Sequence, residues 1–333
     1  MNNYILLILS LILITSCQAE RDENLIVQKE RDNIVDVKSS IHVFEPTINY
    51  SSWAYVSVLG KYLSIIDSHS YDYIINLYDK ANLKIVGQTG EVGLGPGEIS
   101  SLGGVVYDDS QNSIYAIDLG GKRVFAFNAD SIVMHSTYKP IIKQKLNSSL
   151  LPTLFTYVND TLSFGTIAQY VKQNTVREKA GKWNMVTGDI KVHNHDFEKQ
   201  KSWRVVTAYS KENKVLVECS RSYDLINIFD MDLNLMHCIH GPNWNETVDY
   251  IYHFNWVVLY RKYILASYDG TKYEENNRPK IIHMFDLEGK YIKTLNVGYR
   301  IWRMSVDEEN DRLYFTFDDE IQFGYLDLKG ILD

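Results

Sequence analysis

The chain has 333 residues, 45% of them hydrophobic and 23% charged, with a formal net charge of −8. This is the composition of a globular chain long enough to bury a core without disulfide staples, and it argues against a disordered or fibrous protein. No basic stripe offsets the acidic balance, so a phosphate-neutralising surface and a nucleic-acid partner are not expected.

Residues Tyr4 to Ile14 are apolar except for Ser10, and Ile14-Thr15-Ser16-Cys17 follows. The run is too short to span a bilayer, which takes roughly 20 residues, and it fits the apolar region of a secretory signal. Its end resembles a bacterial lipoprotein signal. That resemblance implies a signal peptide over 1–17 and a lipid on Cys17, tethering an exported domain to the outer membrane, periplasmic or surface-exposed. Residues 18–39 are polar and of mixed charge, which reads as a solvated tether. The folded part is expected over 40–333.

From there the chain repeats. An alternating strand recurs six times, ending at Asp67, Asp118, Thr166, Cys219, Ser267 and Phe317, with spacings of 51, 48, 53, 48 and 50 residues. A second strand follows, as in Ile75-Asn76-Leu77-Tyr78-Asp79 and Ile282-His283-Met284-Phe285-Asp286. A turn comes next, as in Asp286-Leu287-Glu288-Gly289, where glycine supplies a positive φ. The third copy is the least regular, with a polar insertion expected over 169–181 and a third strand over 182–186. Side chains alternate by two, which excludes helical repeats. About four short strands per period define an all-β, six-bladed β-propeller with four-stranded blades. The chain ends soon after the third strand of the sixth copy. Ile41-His42-Val43-Phe44 has no blade of its own and is expected to supply the missing strand and close the ring.

Gly93-Leu94-Gly95-Pro96-Gly97-Glu98, the Phe-Asp-x-x-Gly turn at Phe285 and the signal, with the Asp-containing second strand, resemble the TolB-like or NHL-like six-bladed propeller lipoproteins of Bacteroidetes. The resemblance implies fold and location rather than a defined activity. It also makes Asp130-Ser131-Ile132 and Asp160-Thr161-Leu162 similar to O-glycosylation sites of those bacteria.

Catalytic signatures are missing, and the glycines at 90, 93, 95 and 97 lie between strands, so they read as a turn rather than a phosphate loop. Asp67 and Asp118 end equivalent strands and read as turn caps. His193, His195, His237 and His240 read as exposed outer-strand histidines, and no metal or cofactor is expected. Cys219 and Cys238, separated by a strand, read as free thiols. The best lead lies in the loops after the second strands, where Ser68-His69-Ser70-Tyr71-Asp72 is echoed by Ser220-Arg221-Ser222-Tyr223-Asp224 and Ser267-Tyr268-Asp269. His69, Tyr71, Arg123, Arg221, Tyr223, Tyr268 and Arg278 are the candidate ligand-binding residues of the upper face, with Lys122 and Trp244 nearby. They suggest a non-enzymatic binding or scaffold propeller for a protein, peptide or glycan. The alternative is a propeller enzyme, a lyase or metal-dependent lactonase-like hydrolase, with its site at the channel mouth.

Overall fold

The computed structural model describes residues 24–135, 138–146, 149–172, 175–195, 204–244, 251–272 and 278–331. The signal and its Cys17 lie outside the described residues. The rest is a six-bladed β-propeller whose strands form six antiparallel sheets arranged in a ring. Three short strands come first: β1 (Leu25–Val27), β2 (Ile34–Asp36) and β3 (Ile41–Val43). Blade one is β4 (Tyr55–Leu59), β5 (Tyr62–Ile66), β6 (Tyr73–Asp79) and β7 (Ile85–Glu91). Blade two is β8 (Leu102–Asp108), β9 (Ser113–Asp118), β10 (Arg123–Asn128) and β11 (Ile141–Lys145), with helix α1 (Ala129–Met134) before its last strand. Blade three is β12 (Leu150–Asn159), β13 (Leu162–Lys172), β14 (Thr175–Trp183) and β15 (Ile190–Val192). Blade four is β16 (Val205–Ser210), β17 (Val215–Ser220), β18 (Leu225–Phe229) and β19 (Leu235–His240). Blade five is β20 (Ile251–Tyr260), β21 (Tyr263–Lys272), β22 (Ile281–Asp286) and β23 (Tyr291–Asn296). Blade six holds β24 (Ile301–Asp307), β25 (Arg312–Phe317) and β26 (Phe323–Asp327).

The period-two pattern is what lets the blades stack. In β5, Leu63 and Ile65 join a core with Tyr314 and Phe323 of blade six. Their neighbours Tyr62 and Ile66 join Ile114 and Phe125 of blade two. Successive side chains of one strand therefore bury against different blades. The same division gives each blade–blade boundary its own apolar cluster, six in all. A fully buried leucine such as Leu63 contributes roughly 2 kcal/mol of transfer free energy. Turn chemistry matches as well. Gly60 (φ +58°) closes the first hairpin, and a Cβ there would lie 2.0 Å from the Tyr107 ring of the next blade. Gly289 takes φ +81° in the Asp286 turn, as the sequence requires.

β3 closes the ring as expected. It pairs antiparallel with β26 through Ile41↔Leu326, His42↔Tyr325 and Val43↔Gly324. Blade six is also joined to blade one through Val56 N–H to Thr316 Oγ1 (2.8 Å) and Val58 N–H to Ser305 Oγ (2.9 Å).

Two expectations differ. The second half of the stretch read as a tether is strand: β1 adds in parallel outside β19, and β2 adds in parallel outside β23. Its charges suggested solvent, but its backbone caps the open edges of blades four and five. The irregularity of blade three is no insertion. β13 runs on to Lys172 and β14 starts at Thr175, so the stretch is strand on both sides of 173–174, and the third strand is 175–183 rather than 182–186.

Candidate functional site

The inner strands β4, β8, β12, β16, β20 and β24 surround a cavity of about 360 Å³, which Tyr55, Leu154, Thr207, Trp256 and Arg303 help to line. It continues into a space of about 570 Å³ at the first hairpins, where Lys61, Lys80, Lys211, Glu212 and Glu309 give a mixed-charge rim. Tyr55 and Arg303 lie near the starts of their strands and thus toward the opposite, upper face. That face carries the loops after the second strands and the connections between blades.

At the upper end an aromatic cluster surrounds one cation. The guanidinium carbon of Arg303 lies 3.9 Å from the ring centre of Tyr55, 4.7 Å from Trp256 and 5.2 Å from Trp302. Trp256 is fixed because its Nε1–H donates to the Met304 carbonyl (2.8 Å). Asn255 Nδ2 donates to the Trp302 carbonyl (2.9 Å), tying blade five to blade six. Above them Trp53 meets Trp302 edge to face at 6.0 Å and stacks on His69 at 5.4 Å. Trp53 is 52% exposed, so this stack faces solvent.

Asp67 builds that stack. Its carboxylate accepts from Ser51 N–H (2.9 Å), Ser51 Oγ–H (2.6 Å) and His69 N–H (3.0 Å). It thereby fixes both the turn that carries Trp53 and the loop that carries His69. Asp118 does the same one blade on, accepting from Ser100, Ser101 and Arg123. Turn capping is thus what both aspartates do.

Arg303 has no carboxylate within salt-bridge distance among the described residues, and its enclosed Nε lacks a hydrogen-bond partner. Burial pushes its pKa down, with Tyr55 acting in the opposite sense. Arg221 is the second such group. Its Nε is also enclosed without a partner, and Nη2 makes only a long contact (3.4 Å) to the Asn255 carbonyl. Burial lowers its pKa first; Glu178 and Tyr252 act to raise it, and Arg204 and Arg303 to lower it further. Cation–π contact stabilises a guanidinium, but neutralising it takes an anion.

The seven candidate residues do not form one ring. His69 belongs to the aromatic cluster, and Tyr71 beside it is fully exposed. Arg221 adjoins the cluster through Asn255. Tyr223 lies 5.7 Å from Trp244, which stacks on His240 at 3.8 Å. Arg123 is occupied by Asp118 (3.0 Å) and the Glu98 carbonyl, and Arg278 by Asp318 (3.1 Å). Tyr268 is not in a loop, because β21 extends past Ser267. It is buried, accepting from Asn243 Nδ2 (3.0 Å) and lying 3.4 Å from Asp224. Lys122 closes its turn with φ +48°.

Sequence reasoning missed two polar centres. Arg31, from the supposed tether, enters the seam between blades four and five. There its Nη1 pairs with Asp224 at 2.8 Å, with side-chain exposures of 5% and 0%. Its Nε donates to Gln28, and its guanidinium lies 5.2 Å from the Phe285 ring centre and 5.6 Å from that of Tyr268. Burial lowers the pKa of the neighbouring His253 to about 4, with Asp224 opposing and Arg31 reinforcing. Burial and then Arg31 lower that of His283 to about 2. The second centre corrects an expectation. His193 is buried, not exposed, and its Nε2 lies 3.1 Å from Glu218 Oε2. That carboxylate also accepts from Ala180 N–H (2.7 Å) and Asn227 Nδ2 (3.1 Å), joining blades three and four. Cys219 and Cys238 are buried thiols that form no disulfide among the described residues. The glycine-rich stretch is a turn: Val92 bridges Ile99, and Glu98 Oε2 accepts from Gly95 N–H at 2.7 Å.

No protein-family model matches the chain, and no curated protein matches it. Solved structures match the fold. A Bacteroides fragilis protein assigned as exported is 15% identical, with 88% of each chain covered and a TM-score of 0.54. A member of the DUF4221 family from Bacteroides vulgatus is 15% identical over 86% of this chain and 94% of its own, with a TM-score of 0.52. A luciferin-regenerating enzyme is 8% identical over 86% of this chain and 93% of its own, with a TM-score of 0.57. One architecture thus serves a protein assigned as exported and an enzyme, and the site must carry the functional argument. No helix among the described residues is long and apolar enough to cross a membrane.

Proposed function

We propose that this chain is an exported, lipid-anchored binding protein of the cell envelope that seats a polar, ring-bearing ligand, a glycan, at the upper mouth of its channel. The observation that carries this reading is the solvent-facing stack of Trp53 and His69 above Trp302, Tyr55 and Arg303. Aromatic faces stack on sugar rings, and their polar tips and the guanidinium supply directed hydrogen bonds. Rigid blades fix these groups, so little ordering cost falls on binding. Export and anchoring rest on the apolar run before Cys17. The Gly93 to Glu98 turn and the Phe285-Asp286-x-x-Gly289 stretch support a place among TolB-like or NHL-like propellers.

The test is a screen of the purified protein against immobilised glycans, followed by titration of each hit with tryptophan fluorescence as the readout. Binding should quench or shift emission and should fall about tenfold in Trp53→Ala, the expected worth of one stacking partner of roughly 1–1.5 kcal/mol. Hits that bind Trp53→Ala as tightly as the parent chain would move the site elsewhere. Cys17→Ala should shift the protein from the membrane to the soluble fraction, and its retention there would remove the anchor.

A further inference from the structure

The geometry points to an anion-binding subsite in the upper channel, formed by Arg303 with Arg221 behind it, and we infer that the ligand presents a carboxylate there as a uronic acid of a glycan. This rests on the proposed mouth and deepens it. Six observations converge. Arg303 lines the central cavity. No carboxylate neutralises it among the described residues, and its Nε is enclosed and unpartnered. Its guanidinium carbon lies over the rings of Tyr55 (3.9 Å) and Trp256 (4.7 Å), which hold the group in place at the channel. The planar guanidinium fork matches a carboxylate in bidentate geometry. Arg221 brings a second positive charge near the first, and its Nε is likewise unpartnered. Two like charges near each other in a low-dielectric setting are costly, the more so for Arg303, which has no carboxylate beside it among the described residues, and a bound anion relieves that cost.

The glycan assignment over a peptide carboxylate comes from the surroundings. The groups leading in from solvent are ring faces, Trp53 and His69 and then Trp302. The inner strands β4, β20 and β24 are each paired on one side only, but the free edge of β4 is engaged, because Val56 N–H and Val58 N–H donate to the Thr316 and Ser305 hydroxyls of blade six. Recognition of an extended peptide draws on such an edge. A cavity of about 360 Å³ is of the size that holds one or two sugar rings.

Three probes are titrated into the mature protein with tryptophan fluorescence as readout: a galacturonic acid disaccharide, its neutral galactose counterpart and a short acidic peptide. Inorganic sulfate, at matched ionic strength, is added separately with the unfolding midpoint as readout. The uronate should bind at least tenfold more tightly than the neutral sugar. Arg303→Met should remove that preference, a loss of roughly tenfold or more for one charge-assisted pair. Arg303→Lys should recover part of it, since the charge remains and the fork is gone. Sulfate should raise the midpoint of the parent chain and not of Arg303→Met. Equal binding of acidic and neutral sugars, unchanged in Arg303→Met, would overturn the subsite and leave the mouth standing. Peptide binding in place of the uronate would overturn the glycan assignment. Failure of sulfate and uronate alike would overturn the subsite, and failure of the neutral sugar with them would take the mouth as well. Should Arg303→Met misfold by near-ultraviolet circular dichroism, Arg303→Lys carries the comparison.

Discussion

Two of the arginines taken out of water in this propeller, Arg31 and Arg303, are treated in opposite ways. Arg31 sits in the seam between blades four and five with a carboxylate at 2.8 Å, a side-chain amide on its Nε and aromatic rings on its flanks. Arg303 sits at the channel with the same kind of aromatic flank and no carboxylate among the described residues. Aromatic contact is common to both, so it is not what distinguishes a staple from a site. The carboxylate is. Where Asp224 closes the charge account, the arginine fastens the amino-terminal segment to the ring. Where none does, the fold tolerates a cost that only a ligand can offset.

The sharpest way to break this comparison is to make the same substitution at both places. Arg31→Met leaves Asp224 buried without its cation and should lower unfolding stability by about 3–5 kcal/mol. Urea titration followed by far-ultraviolet circular dichroism measures it. A loss below about 1 kcal/mol would mean that the segment merely lies on the blades. Arg31→Met with Asp224→Leu should recover much of the loss, because an apolar pair carries no unmet charge.

The seam should also make the protein acid-sensitive. His253 is held at about 4, below its value in the unfolded chain of about 6.5. Below pH 6.5 the unfolded state takes a proton that the folded state refuses, so stability is present above that pH and is lost as pH falls toward 4. The difference amounts to about 3 kcal/mol. His283, held at about 2, extends the same trend to lower pH. His253→Gln should flatten the stability profile between pH 6.5 and 4. An unchanged slope would show that the ring is not held neutral.

Against these effects Arg303→Met should be nearly silent, within about 1 kcal/mol and in the stabilising direction if any, since it removes an unneutralised charge rather than a pair. A loss comparable to that of Arg31→Met would show that Arg303 is structural, and the channel mouth would lose its cation.

What could be read from the sequence follows from how far apart the interacting residues are. The blades were legible because hairpins are local and recur near every 50 residues, and Leu63, Ile114 and Leu313 show the alternation without help from elsewhere. The clasp at Ile41 was legible by counting, since blade six lacked a fourth strand. Arg31 was not, because its partner lies 193 residues on and its neighbours Glu30 and Asp32 read as solvated charge. Arg303 is hidden for a different reason: it projects from an inner strand rather than a loop, and its signal is a charge following Ile301 and Trp302 where a core residue is due. Arg123 and Arg278 read as loop cations, and that Asp118 and Asp318 occupy them follows from the three-dimensional arrangement. Tyr268 was misplaced because β21 is longer than the repeat suggests.

The smallest effect bears most directly on the mouth. Trp53 is half-exposed on a turn that Asp67 holds through Ser51, so its ring can be removed without opening a core. Trp53→Ala should change stability by less than about 0.5 kcal/mol, as surface replacements do. It should still weaken a ring-bearing ligand about tenfold. Asp67→Ala separates the two roles. It frees the turn and the His69 loop together, so it should weaken binding as Trp53→Ala does while also destabilising the blade by about 1–3 kcal/mol, the cost of leaving the Ser51 donors without their acceptor. Denaturation and titration of the two variants side by side decide the matter. If Asp67→Ala destabilises the fold and leaves binding intact, the position of Trp53 does not depend on its turn, and the stack at the mouth is no pre-formed platform.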